Sequence, residues 1–150
     1  MSTTTTEPET FDPAKFDPDG RPVADVMREI KAYLVQAGIE HGRDMSDMTW
    51  HIPRAGTNKV EGLTVNDKNQ ALWPTRYRWV LCSAVKGGSE GYYVHISTVE
   101  TEDRALPIYR MLGLAKVWDW RTARLMADAC STLFQMNADY ARHRLDTKPA

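Results

Sequence analysis

Val23, Val26, Met27, Ile30, Leu34 and Ala37 recur at three- and four-residue intervals, while Arg28, Glu29 and Lys31 fall elsewhere on the wheel. This spacing predicts an amphipathic helix over 22–37. Pro22 is a favoured first helical residue, and Asp17-Pro18-Asp19-Gly20 before it fits a β-turn. Gly38 followed by Ile39 predicts a left-handed cap at its end. From Met48 the period changes to two: Met48, Trp50 and Ile52 share one face of a short strand that Pro53 ends, and Val60–Val65 is a weaker strand candidate.

Two stronger strands follow, Thr75–Lys86 and Gly91–Val99, rich in aromatic and β-branched residues and separated by Gly87-Gly88-Ser89-Glu90. They predict a hairpin. A two-residue turn at Gly88-Ser89 would set Trp79, Leu81 and Val85 on one face with Tyr92, Val94, Ile96 and Thr98, as the core. The opposite face would then carry Arg76, Arg78, Val80 and Cys82 beside Tyr93, His95 and Ser97, with Cys82 directly across from His95.

Leu106–Trp118 is apolar almost all round, the pattern of a short buried helix that opens near Pro107 and bends at Gly113. Asp119 then caps a long final helix over 120–143. Arg121, Arg124, Asp128, Gln135, Asp139 and Arg142 form its polar stripe, and Met126, Ala129, Cys130, Leu133 and Tyr140 lie on another face. Helix, three or four antiparallel strands and helices in that order predict the α+β class. The expected architecture is a two-layer sandwich in which an N-terminal helix and a long C-terminal helix pack one face of a meander.

Residues 1–20 lack such a pattern. They hold a threonine run, three prolines and five acidic residues against Lys15 alone, and are expected to be a disordered acidic tail before a single domain at 21–150. Inside the tail Phe11-Asp12-Pro13 recurs as Phe16-Asp17-Pro18. Without the tail, the net charge of −1 becomes +3, which permits nucleic-acid binding without the clustered basic face that argues for it. Met1–Thr10 has no Lys, Arg or apolar run, so the expected compartment is the cytoplasm. The longest apolar run is shorter than the roughly 20 residues of a membrane helix and is interrupted by Arg110 and Lys116.

The chemistry-bearing residues form no strong motif. His41, His51, His95, His143, Cys82 and Cys130 contain no close ligand pair, so no metal and no cofactor are expected. Cys82 opposite His95 has the makings of a thiolate–imidazolium nucleophile or the wall of a small ligand pocket, with no third residue to orient it. Lys86–Gly91 is glycine-rich but sits between two strands and lacks the G-K-[ST] ending of a phosphate loop. Glu100, Glu102 and Asp103 read as a solvated acidic loop.

Trp73–Trp79 interleaves aromatics with Arg76 and Arg78, as single-stranded nucleic-acid binders do, though alternation sends the two kinds to opposite faces. Five tryptophans, the repeated FDP motif and the apolar positions Leu125, Phe134 and Leu145 on the last helix fit a protein–protein role better. The leading expectation is therefore a non-catalytic binding or adaptor protein, homo-oligomeric in one version, that binds through Arg76, Arg78, Tyr93 and His95 on the sheet and through Phe11 and Phe16 in the tail. A single-stranded nucleic-acid binder and a small enzyme or ligand carrier are the alternatives.

Overall fold

Helix α1 spans Val23–Glu40, strands β1 to β4 span Thr49–His51, Trp79–Lys86, Tyr92–Val99 and Tyr109–Val117, and helix α2 spans Trp120–Thr147. The computed structural model describes residues 11–45, 48–51, 63–74, 79–88, 91–99 and 109–147. The strands form one antiparallel sheet in the order β1-β4-β3-β2. Strands β2, β3 and β4 form an antiparallel meander, its third strand standing where a buried helix is expected. The three-residue β1 is added outside β4, so the chain between β1 and β2 passes from one edge of the sheet to the other. The class is α+β, with both helices packed on the sheet.

Entry into α1 is fixed by backbone pairing with residues 71–73. Val23 N–H donates to the Ala71 carbonyl at 2.8 Å and Trp73 N–H to the Arg21 carbonyl at 2.7 Å. The helix runs past its expected end, because the left-handed residue is Gly42 at φ +69° and not Gly38. Gly42 N–H donates to the Ile39 carbonyl and Arg43 N–H to that of Gly38, the paired bonds of a Schellman cap. Gly38 serves another purpose: a Cβ there would stand 2.8 Å from both the Arg43 carbonyl oxygen and Met45 Cγ, so the glycine lets the returning chain cross the helix closely.

The segment read as a buried helix over 106–118 is the central strand β4 from Tyr109 onward; residues 106–108 lie outside the described residues. A short apolar run does not by itself distinguish a buried helix from a buried strand. Here a bulge also breaks the two-residue alternation: Ile96 pairs with Gly113 and Ser97 with Met111, leaving Leu112 as the extra residue. Leu112, Ala115 and Val117 are buried while Met111 is exposed. The Val60–Val65 candidate contributes no strand to the sheet among the described residues; Val65 makes only an isolated bridge to Ala71.

The hairpin register also differs from expectation. Gly87 N–H donates to the Gly91 carbonyl at 2.8 Å, which makes the connection three residues long, and Cys82 pairs with Ile96 instead of His95. One residue of slip turns a strand over. Val94 and Ile96 face the core as expected, but their partners there are Val80, Cys82 and Ala84, while Leu81 and Val85 point outward.

One continuous core joins this inner sheet face to Val26, Met27, Ile30 and Leu34 of α1 and to Met126, Ala129, Cys130 and Leu133 of α2. The expected apolar and polar stripes of α2 therefore hold along its described side chains, with Arg121, Arg124, Asp128 and Gln135 exposed. Asp119 caps the helix as expected: its carboxylate accepts from Thr122 N–H at 3.2 Å and Thr122 Oγ1 at 3.0 Å. Phe134, expected to be left over at the surface, is 3 % exposed and stacks on Trp73 with ring centroids 5.6 Å apart.

Candidate functional site

Among the described residues, the helices pack on one face of the sheet and nothing covers the other. Each strand sends alternate side chains to that outer face: Thr49 and His51 from β1, Leu114 and Lys116 from β4, Tyr93, His95 and Ser97 from β3, and Leu81, Ser83 and Val85 from β2. Cross-strand neighbours form three rows. One runs Thr49, Lys116, Tyr93, Val85, the next His51, Leu114, His95, Ser83, and the third Met111, Ser97, Leu81.

Leu81, Val85 and Met111 are 47 %, 45 % and 40 % exposed on this face. The Tyr93 ring lies against Gly87, where a Cβ would meet it at 2.0 Å. Beyond the end of β4, Trp118 is 68 % exposed and its ring receives the Lys116 ammonium 4.7 Å from the centroid. Among the described residues the outer face carries Lys116 and two histidines and no carboxylate. Its chemistry is that of a flat, weakly basic, mixed apolar and hydroxyl-bearing surface.

Tyr93 and His95 are brought to this face as expected. Arg76 and Arg78 lie outside the described residues. Phe11 and Phe16 are on the other side of the molecule, packed on its own helices. Phe16 is 5 % exposed with its ring 6.2 Å from that of Phe134, and Phe11 lies 5.6 Å from Phe16 and 5.1 Å from Tyr33. Sequence reasoning missed Leu81 and Val85, which the two-residue turn had assigned to the core. It missed Met111 too, because that residue was placed in a helix. No residue in the loop distinguishes a two- from a three-residue turn by type, since glycine at 88 serves either.

A Cys82–His95 couple is absent for the same reason. Ser83 is the residue opposite His95, and Cys82 is on the inner face. There its neighbour is Cys130, whose thiol is pushed well above its ordinary pKa by a hydrogen bond to Cys82 and by burial. Both cysteines are free thiols. Among the described residues no three His, Cys, Asp or Glu side chains converge as a metal site would require, and no helix is long and apolar enough to cross a membrane.

An open cleft of about 340 Å³ lies between α1 and β1, lined by Met27, Arg28, Lys31, Met48, Thr49 and Trp50. Trp50 Nε1 is buried without a hydrogen-bond acceptor. The cleft is at the lower end of the volumes that hold small ligands. Its lining sets the cationic Arg28 and Lys31 beside the Thr49 hydroxyl and the Trp50 indole, with no carboxylate among the described residues. No protein-family model, curated protein or solved structure matches this chain.

Proposed function

We propose that this chain is a non-catalytic protein-binding module whose partner is a second copy of itself, docked through the outer face of the sheet. The observation that carries the reading is the exposure of Leu81, Val85 and Met111 on a face that neither helix covers. Fully burying a side chain of this kind contributes about 1.5–3 kcal/mol, so three of them on each of two copies give association a sizeable apolar drive.

Size and charge support the same occupant. Three strands of eight or nine residues and the three-residue β1, at about 4.8 Å spacing and about 3.4 Å rise, give a face of roughly 440 Å² in projection. Side-chain relief raises the accessible area toward the roughly 800 Å² per partner of an ordinary interface. Two sheets stack about 10 Å apart with their strands near −30° or orthogonal, and a two-fold axis through the face pairs it with itself. Lys116 is turned onto the Trp118 ring, so the apposed copies need not bring two bare ammonium groups together.

Sedimentation velocity over a micromolar concentration range tests this. The wild-type chain should form a dimer with a Kd near the micromolar range, about −8 kcal/mol. Leu81→Glu and Val85→Glu should each return it to monomer with an unchanged far-ultraviolet circular dichroism spectrum. A wild-type monomer at roughly a hundred times that concentration, or a dimer indifferent to both substitutions, rules the reading out.

A further inference from the structure

The Trp50 indole N–H is buried, and among the described residues no hydrogen-bond acceptor reaches it. A buried donor without an acceptor loses its hydration and gains nothing in return. Native structures therefore keep few of them, and an acceptor supplied from outside the chain is one reason for such a group to persist. Trp50 is on the helix-facing side of the edge strand β1, opposite the small, buried Ala115 of β4. It also lines the cleft of about 340 Å³ between β1 and α1. We propose that this cleft binds a small organic carboxylate, its apolar body on Met27 and Met48 and its charge between Lys31 and the Trp50 indole N–H.

Two short segments supply the parts of such a site. On α1, Lys31 is four residues from Met27 and three from Arg28, so these side chains are neighbours along one side of the helix. Met27 reaches down to the sheet, because Gly113 of β4 leaves room where a Cβ would stand 2.5 Å from Met27 Cε. On the opposite wall Met48 and Trp50 are two residues apart, the spacing that sends side chains of an extended chain to the same side. Met27 and Met48 are both buried and form the floor of the cleft. Their unbranched thioethers adapt to the outline of an apolar guest.

Charge selects an anion. Arg28 is paired with Asp25 one turn back along α1, whereas Lys31 has no ion-pair partner among the described residues. With no carboxylate among the described lining residues, an incoming one meets a free ammonium, a guanidinium shared with Asp25 and an indole donor in need of an acceptor. A neutral amide would satisfy the indole N–H through its carbonyl but leave Lys31 unanswered. Inorganic phosphate would answer Lys31 but leave the methionine floor uncovered. Apart from Thr49 at the sheet edge, no lining residue belongs to the outer face, so the site does not depend on what that face binds.

The test titrates phenylacetate, phenylacetamide and inorganic phosphate separately into the nitrogen-15-labelled full-length chain and follows the indole N–H peaks in proton–nitrogen correlation spectra. The chain has five tryptophans, and Trp50→Phe identifies the Trp50 peak by its loss; backbone-linked assignment in the wild-type chain does so if that variant folds poorly. Phenylacetate should move the Trp50 indole peak downfield and saturably, with a Kd on the order of 0.1–1 mM. Phenylacetamide and phosphate should each bind at least about tenfold more weakly. Lys31 is only half-buried, so the fold tolerates its replacement: Lys31→Gln should weaken phenylacetate about tenfold, and Lys31→Arg should keep most of the affinity. A Trp50 peak that phenylacetate leaves in place up to about 20 mM would overturn the proposal. So would an amide or a phosphate that binds as well as the carboxylate, or binding indifferent to Lys31→Gln.

Discussion

Asp119 joins two parts of the molecule through one carboxylate. It caps α2 through Thr122, and its Oδ2 lies 3.4 Å from Arg43 Nη1 in the segment that follows the α1 cap. The hydrogen bond from the Thr122 hydroxyl, then those from the Thr122 and Arg121 N–H groups and the nearby Arg43 charge, hold its carboxyl below the ordinary value of 3.8. A depressed folded value means the unfolded chain binds the proton more readily. The stabilisation is therefore complete above the ordinary carboxylate range and is lost as pH falls through the folded value. Asp119→Ala should cost about 1 kcal/mol at neutral pH, the usual worth of a cap, and the gap to wild type should close in strong acid. Asp119→Asn, which also caps, should keep most of the stability and lose the pH dependence. Urea denaturation at neutral pH and at about pH 3 measures both; a gap that widens in acid would contradict the assignment. This residue was legible in the sequence because an N-cap is a local signal. The end of α1 was less so, since Gly38 and Gly42 are both plausible caps by type. Only the close approach of Arg43 and Met45 shows why the earlier one is a glycine.

At the scale of elements, what the sequence conveyed was the existence of helices and of the hairpin, and what it withheld was register. The pattern Val80, Cys82, Ala84 against Leu81, Ser83, Val85 is apolar on either side, so β2 carries no internal instruction about which face is buried. The three-residue connection at Gly88 decides it, and the burial of Val94 and Ile96 on β3 then draws the smaller set inward. Strand β4 was misread because its bulge at Leu112 mixes the strand and helix periods. The register makes an opposed pair of expectations. Ile96→Ala, in the fully buried layer, should cost about 3 kcal/mol through lost burial and a residual cavity, whereas Leu81→Ala, on the uncovered face, should change monomer stability by less than about 0.5 kcal/mol. The turn assumed from sequence puts both residues in the core and predicts two large losses. Denaturant midpoints at a protein concentration low enough to keep the chain monomeric distinguish the two registers, because only the observed one separates the substitutions.

Across the whole molecule, α2 is the organising element. Its 28 residues rise through about 42 Å, and it touches β2, β3, β4, α1 and the turn of 3-10 helix at Pro13–Lys15. Through that last contact the segment from Phe11, the first described residue, packs on the body, although composition puts it in the tail. Acidic and proline content argue for a tail, but two phenylalanines five residues apart supply the apolar surface that offsets the cost of ordering it. Phe16 enters a cluster with Trp73 and Phe134, and the Asn137 side chain donates to its carbonyl oxygen at 3.1 Å. Phe16→Ala should therefore lower the stability of the entire domain by about 3 kcal/mol, and Phe11→Ala, only partly buried, by about 1 kcal/mol. If the repeat instead served to reach a partner while standing clear of the body, both substitutions would leave the urea midpoint within about 0.5 kcal/mol of wild type. The cluster lies on the helix side, so neither substitution should alter association through the outer face. A Phe16→Ala chain that unfolds earlier yet still dimerises at wild-type affinity would show that the two faces of the sheet do separate work: one holds the fold together, and the other is free to bind.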